Sequence, residues 1–175
     1  MKYFLVFCML ISTGALAQNQ PLTNVATGQS VSIRDYKGAK TIVVIFTSNV
    51  CAYDSYYSDR LKSLFASYSS NVQFLLVNSY VEPEEAADKM KATYDKWGFD
   101  VPYLADKDQE WMKSFGARKS PEVFVLDSNN AVIYNGAIDD NPQLASGVKD
   151  NYLKKILDGQ KIASTRAVGC TIRSK

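Results

Sequence analysis

Histidine is absent from all 175 residues of the sequence. Its absence excludes histidine as a metal ligand and excludes catalytic pairs of a serine or cysteine with a histidine base. With only three cysteines and no histidine, a conventional zinc site is not expected. The sequence also carries no nucleotide, haem or flavin motif, so we expect neither a metal nor a cofactor.

An excess of one charge is lacking too. The 20 Lys and Arg residues nearly balance the 18 Asp and Glu residues, which leaves a net charge of +2. This balance argues against the basic surface that nucleic acids or anionic membranes attract, so neither is expected as a partner. The length is typical of a single domain, which buries enough surface to fold without metal or several disulfides.

The first 17 residues have the pattern of a secretory signal peptide. Lys2 precedes an apolar run over residues 3–11, and Ala15-Leu16-Ala17 forms a small-x-small cleavage site. The apolar run is too short to remain in a bilayer as a transmembrane helix. The alternative to a signal peptide is a buried N-terminal helix. We therefore predict that residues 1–17 are removed and that residues 18–175 form one exported domain, periplasmic or secreted, without stable membrane insertion.

Removal of the signal peptide also removes Cys8, which leaves Cys51 and Cys170. An oxidising compartment allows these two cysteines to form a disulfide. A bridge closing so long a loop would stabilise the fold by about 4–5 kcal/mol in the chain-entropy picture. The sequence by itself leaves open whether the two cysteines are close in space.

Hydrophobic patterning predicts an α/β fold. Continuous apolar runs over residues 41–46, 72–77 and 122–126 are typical of buried strands. Shorter strands are predicted over 31–33, 102–105 and 132–134, and helices from Cys51, from 82–85, and over 109–115 and 147–157, while 18–29 is interpreted as an irregular arm. This order predicts a mixed sheet with helices on both faces.

Cys51 is the first candidate for chemistry. It follows the strand over residues 41–46 and opens a helix, where backbone N–H groups and the helix dipole favour a thiolate. Ser48 lies three residues earlier, where a turn can direct its hydroxyl toward the sulfur as a donor. The alternative interpretation is a buried, inert cysteine after a serine-containing turn, and both remain open at this point.

Four segments resemble thioredoxin-like redoxins of the alkyl hydroperoxide reductase/thiol-specific antioxidant (AhpC/TSA) group. They are residues 46–51 (FTSNVC) followed by 59–61 (DRL), residues 120–127 (SPEVFVLD), residues 134–140 (YNGAIDD) and residues 169–173 (GCTIR). The corresponding family patterns are close to F-T-C-N-H-C, T-P-E-x-F-x-x-D, Y-x-G-x-I/L-D-D and G-C-x-I-K. The resemblance implies a thioredoxin-like three-layer sandwich, with a mixed sheet flanked by helices.

The same resemblance implies roles for particular residues. Pro121 would be a cis-proline facing the active cysteine, and the backbone of Ser120 would be available to a bound peptide. Cys51 would be the active-site cysteine, and Cys170 the tail cysteine that could resolve an intermediate. The implied partners are a thiol or disulfide protein or a small peroxide.

Ser48 is where the sequence departs from the family. It occupies the position of the first cysteine, so the CxxC motif is reduced to SxxC and cannot itself form a disulfide. A Ser/Thr-x-x-Cys arrangement resembles peroxiredoxins, but their preceding proline is replaced here by Val44. Their thiolate-binding arginine has no direct counterpart, which leaves Arg60 and Arg118 as candidates.

Three hypotheses follow from these residues. In the first, the protein is a redox enzyme in which Cys51 attacks a peroxide or disulfide and Cys170 resolves it. In the second, it is a catalytically degenerate binding module with a structural disulfide, or none, and a peptide groove beside Pro121. In the third, Cys51 acts alone through mixed disulfides while Cys170 stays free.

Overall fold

A computed structural model describes residues 20–175, so the predicted signal peptide and Cys8 lie outside the described residues. The strands are β1 (Leu22–Asn24), β2 (Ser30–Val31), β3 (Thr41–Phe46), β4 (Val72–Asn78), β5 (Tyr103–Ala105), β6 (Lys119–Ser120), β7 (Glu122–Leu126), β8 (Val132–Gly136) and β9 (Cys170–Thr171). The helices are α1 (Ala52–Tyr68), α2 (Ala87–Trp97), α3 (Glu110–Phe115) and α4 (Tyr152–Leu157). Short 3-10 turns cover Ile33–Tyr36, Pro83–Glu85 and Ala145–Gly147.

Within residues 20–175, seven strands form one mixed sheet in the order β2-β1-β5-β4-β3-β7-β8. Strands β3, β4 and β5 run parallel, whereas β1 and β7 flank them in antiparallel pairing. β6 and β9 pair separately as a small antiparallel ladder beside this sheet. No helix in the described part of the chain has the length and hydropathy that crossing a membrane would require.

The central strand β3 is buried on both faces, as its continuous apolar run predicts. Val43 and Ile45 point into a core formed with side chains of α1, α2 and α4. Val44 and Phe46 point the other way, into a core that includes Trp111 of α3. The sheet therefore has α1, α2 and α4 on one face and α3 on the other. This confirms the α/β thioredoxin-like three-layer sandwich.

The predicted irregular arm contains a strand. Leu22–Asn24 pairs with β5 through Thr23 and Asn24, and it pairs with β2 on its other side. Three residues are too few to show the alternation of apolar and polar side chains that is typical of a strand. In addition, the polar side chain of Asn24 suggests a loop, although Asn24 is buried. Its carboxamide oxygen is used instead to accept the backbone N–H of Ala26 at 3.1 Å.

The last helix is shorter than predicted. It begins at Tyr152, whereas the apolar spacing indicated a start at Gly147. The Asn151 side chain caps the helix by accepting the backbone N–H of Lys154. Upstream, the Asp140 N–H donates to Asp150 O and the Asp140 carboxylate accepts the Lys149 N–H, each at 3.0 Å. Val148 and Asn151 accordingly have extended rather than helical backbone angles.

Candidate active site around Cys51

Cys51 lies where β3 passes into α1, and it is the N-cap residue of that helix. Its side chain is only 4% exposed. The turn before it is fixed to the sheet by Thr47, whose N–H donates to Val77 O at 2.8 Å. The strand-to-helix junction therefore presents the sulfur from a rigid position at the carboxyl end of the parallel strands.

Ser48 organises this turn. Its hydroxyl oxygen accepts the backbone N–H groups of Val50 at 3.2 Å and Cys51 at 3.1 Å. Its own proton is donated to the Glu85 carboxylate, with an oxygen–oxygen distance of 2.5 Å. The prediction that the hydroxyl donates to the sulfur is therefore wrong, because the stronger acceptor, a buried carboxylate, takes its single proton.

Glu85 is a site residue that sequence reasoning missed. The acidic run over residues 82–85 predicts a helix start, where acidic side chains are ordinarily solvated, but Glu85 is 1% exposed. Besides Ser48, its carboxylate accepts the Asn49 N–H at 2.8 Å and the Asn78 side-chain amide at 2.7 Å. Nothing in the run distinguishes Glu85 from Glu84, since the partners that keep it buried come from distant segments.

The two remaining cysteines form a disulfide. Cys51 and Cys170 are bonded across a sequence separation of 119 residues, with a Cα–Cα distance of 6.0 Å. Cys170 reaches this position because β9 pairs with β6, placing Ser120 directly opposite it. The Ser120 carbonyl oxygen lies 3.4 Å from the Cys51 sulfur, and the Ser120–Pro121 peptide bond is cis. The fold thus brings together Cys51, Cys170, Ser120 and Pro121.

Asp54 lies in the first turn of α1, where its backbone N–H donates to Cys51 O at 3.1 Å. It is 2% exposed, and its carboxylate accepts the Thr47 hydroxyl at 2.7 Å and the Ser120 hydroxyl at 2.6 Å. Burial raises its pKa to about 7, against the opposing effect of the hydrogen bonds from Ser120 and Thr47. Sequence reasoning missed this residue, because an acid in the first turn of a helix is usually solvated.

Arg60, one of the two candidate arginines, is held by other partners in this structure. Arg60 donates to the Asp139 carboxylate at 2.7 Å and to Asn141 O at 2.8 Å. Its guanidinium also lies over the Tyr57 ring, 3.9 Å from the centroid. Arg118 is exposed. Among residues 20–175, no group of acidic side chains and cysteines is arranged to hold a metal ion.

A family model described as Redoxin matches residues 13–156, most of the sequence. The chain belongs to the Redoxin family. Ser48, Cys51 and Pro121 lie within the matched segment of this redoxin, whereas Cys170 lies beyond its end. Family membership and the Cys51–Cys170 disulfide together support a thiol redox role. No curated protein sequence matches this one significantly.

Solved structures agree with this assignment of the fold. An uncharacterised conserved protein from Geobacillus kaustophilus is 28% identical with a TM-score of 0.78, covering 90% of each chain. A hypothetical protein from Sinorhizobium meliloti 1021 is 25% identical with a TM-score of 0.75, covering 87% of this chain and 88% of that one. A secreted Mycobacterium tuberculosis disulfide oxidoreductase, 14% identical, has a TM-score of 0.57 over 67% of this chain and 82% of its own, and shares the fold.

The raised pKa of Asp54 predicts a pH-dependent loss of stability. Between its ordinary value of 3.8 and about 7, the unfolded carboxyl is ionised while the native one keeps its proton. The native state therefore binds more protons, so the free energy of unfolding decreases as pH rises through this window. Replacing Asp54 with Asn removes this titration. The difference in unfolding free energy between the variant and the oxidised wild type should therefore shift in favour of the variant by roughly 3 kcal/mol from pH 4 to 7.

Urea unfolding at intervals from pH 4 to 8 would measure this difference. Asp59→Asn, on the exposed side of the same helix, is the matched control and should follow the wild-type curve. A constant difference between the Asp54→Asn variant and the wild type across the range would contradict the assignment.

Proposed function

We propose that this redoxin carries out thiol–disulfide exchange with Cys51 and Cys170 as its reacting pair. The observation that carries the proposal is the disulfide between the cysteine at the start of α1 and the cysteine of the tail strand. Ser48 cannot supply the second sulfur, because a hydroxyl forms no disulfide. Cys170 lies across the groove beside Pro121 and supplies it instead.

The oxidised protein accepts two electrons from a partner dithiol. One partner thiolate attacks the Cys170 sulfur, forming a partner–Cys170 disulfide and releasing Cys51 as a thiolate. The second partner thiolate then attacks the partner sulfur of that disulfide and releases Cys170 as a thiolate. The partner leaves as a disulfide, and the protein holds two thiols once both thiolates take up protons.

The reduced protein passes the two electrons to a substrate disulfide. The Cys51 thiolate attacks one substrate sulfur, forms a mixed disulfide and releases the other substrate sulfur as a thiolate. The Cys170 thiolate then attacks the Cys51 sulfur, restores the bridge and releases the second substrate thiolate. The substrate leaves as a dithiol, and the net reaction is a two-electron exchange between two dithiol–disulfide pairs.

Accessibility decides which sulfur of the bridge reacts first. Cys51 is 4% exposed, with its sulfur against the Ser120 carbonyl, whereas Cys170 is partly exposed at the edge of the small ladder. An incoming thiolate therefore reaches the Cys170 sulfur more easily. Cys51 is the leaving group, and it departs at a helix start, where backbone N–H groups favour its negative charge.

Exposed apolar side chains beside both cysteines favour a protein partner. Val50, immediately before Cys51, is 65% exposed, and Val168, two residues before Cys170, is 47% exposed. A cavity of about 200 Å³ beside Pro121 is also lined by Val168. Apolar surface beside a reactive bridge suits contact with another polypeptide more than with a small polar oxidant.

The other predicted site residues take supporting roles in this proposal. Ser48 positions the turn that presents Cys51, through its hydrogen bonds to Val50 and Cys51. Ser120 lies against the Cys51 sulfur through its carbonyl oxygen, and the cis peptide bond joins it to Pro121, which lines the neighbouring cavity.

A redox titration of the mature protein, followed by thiol alkylation and mass spectrometry, tests the proposal. We expect the Cys51–Cys170 bridge to be reduced between about −120 and −230 mV, the range of catalytic dithiols. Cys170→Ser is the control, and it should show one alkylated thiol at every potential. Reduction only below about −300 mV would instead indicate a structural disulfide and favour the binding-module hypothesis.

The order of attack has its own test. When the oxidised protein is treated briefly with glutathione and quenched with acid, we expect the glutathione adduct on Cys170, with Cys51 as the free thiol. Peptide mapping locates the adduct. An adduct mainly on Cys51 would show that the more buried sulfur is attacked first and would contradict the proposed order.

We further propose that the protein is exported. The proposal is supported by the signal-peptide pattern that ends at Ala17 and by the disulfide, which persists in oxidising compartments. Expression of the full sequence in a bacterium with two membranes should yield a periplasmic protein that begins at Gln18. Intact-mass measurement of each cell fraction checks this, and a full-length cytoplasmic product would contradict it.

A further inference from the structure

The protein's own tail fills the groove beside Pro121 in the manner of a bound strand. β9 lies antiparallel to β6, with Cys170 opposite Ser120 and Thr171 opposite Lys119. Within residues 20–175, β9 is the only strand that pairs with β6. The edge of β6, immediately before Pro121, is therefore a strand-accepting edge whose present occupant is covalently joined to Cys51.

The residue before the tail cysteine has to be small. A Cβ on Gly169 would lie 2.0 Å from the Ser120 carbonyl oxygen and 3.1 Å from the Pro121 nitrogen. Both obstacles are backbone atoms, so they cannot move aside as a flexible side chain would. The close approach of the two backbones, which lets Cys170 reach Cys51, therefore requires glycine at this position.

The residues after the tail cysteine are recognised as well. The Tyr80 hydroxyl donates to Cys170 O at 3.1 Å, and the Ile172 N–H donates to Arg118 O at 3.0 Å. The Ile172 side chain is 6% exposed and packs into the same core as Phe46 and Met112. Beyond it, the side-chain amide of buried Gln109 donates to Arg173 O at 2.7 Å.

We infer that the groove along β6 selects substrates as extended strands with glycine immediately before the reacting cysteine and an aliphatic residue two positions after it. The segment Gly169–Arg173 is a tethered copy of such a strand. This inference rests on the proposed thiol–disulfide exchange and names the substrate class of the same site. Main-chain pairing supplies affinity, while the glycine gap and the aliphatic pocket supply selectivity.

The tail then occupies two positions during one exchange. After reduction, the tail and a substrate strand compete for β6, and the substrate binds when the tail leaves. The Cys51 thiolate attacks the substrate cysteine and releases the substrate's other sulfur as a thiolate. When the tail returns to β6, Cys170 attacks the Cys51 sulfur, reforms the bridge and releases the substrate cysteine as a thiolate.

The test uses full-length mature protein with Cys51 as its only cysteine. One variant is Cys170→Ser, and a second adds Gly169→Ala, which uses the backbone clash to disengage the tail. The probe is the peptide Val-Gly-Cys-Thr-Ile-Arg, whose cysteine is activated as a mixed disulfide with nitrothiobenzoate. Attack by Cys51 joins the peptide to the protein and releases coloured nitrothiobenzoate, whose appearance gives the rate.

Two matched peptides measure selectivity. One has alanine in place of the glycine, and the other has aspartate in place of the isoleucine. We expect each to react with Cys51 at least about tenfold more slowly than the parent peptide. In 6 M urea, chosen here to unfold the protein, all three should react at similar rates. Similar rates with the folded protein would overturn the inference.

The two variants also test competition by the tail. The parent peptide should react more slowly with Cys170→Ser, whose tail stays docked, than with the double variant. The order of peptide preference should be the same in both, so selectivity is measured even if the second substitution perturbs folding. Equal rates for the two folded variants would show that the tail does not occupy the substrate's position.

Failure of the proposed function gives a different result. Ellman's reagent, a small disulfide without a peptide strand, should react with Cys51 of the folded double variant. No reaction with it or with any peptide would contradict thiol–disulfide exchange at Cys51. Reaction with Ellman's reagent and equal reaction with all three peptides would leave the exchange function intact and overturn only the strand selectivity.

Discussion

Two buried carboxyl groups hold the junction that presents Cys51. Glu85 accepts hydrogen bonds from Ser48, Asn49 and Asn78, and Asp54 accepts them from Thr47 and Ser120. Burial of acidic groups is costly unless their acceptor atoms are bonded, and here every bond also positions a segment of the site. Glu85 joins the turn before Cys51 to the end of β4, while Asp54 joins α1 to the residue before Pro121. The geometry around the disulfide depends on these two connections.

The serine at position 48 and the docked tail are related, because Ser48 has no sulfur and the tail provides the cysteine that bonds to Cys51. Where the family motif has a first cysteine, this chain has a hydroxyl that caps the turn and donates to Glu85. The disulfide partner of Cys51 comes instead from a strand 119 residues away, beyond the segment that matches the family model. Because that strand pairs with β6, the second sulfur lies beside Ser120, within bonding distance of Cys51. Formation of the bridge therefore goes together with the pairing of β9 and β6.

Much of the fold could be predicted from local patterns. The run TIVVIF predicted β3 because strands buried on both faces need no polar alternation, and the helical spacing after Cys51 predicted α1. Patterns failed where distant contacts decide conformation. Leu22–Asn24 became a strand through β5, and the residues from Val148 to Asn151 stayed outside the last helix, where Lys149 and Asp150 bond to Asp140. Among the site residues, the motifs identified Cys51, Ser48 and Pro121, but not Asp54 or Glu85, whose burial depends on partners elsewhere.

The sequence by itself determined the architecture, the family and the identity of the cysteines, because apolar runs, turn residues and short motifs are local properties. It also determined that Ser48 cannot form a disulfide, which is a matter of side-chain chemistry alone. Only the tertiary structure decided that Cys170 meets Cys51, that the Ser48 proton goes to Glu85, and that Asp54 is buried against Thr47 and Ser120. Each of these depends on the packing of segments far apart in the chain, where distance and desolvation, rather than residue type, set the interaction.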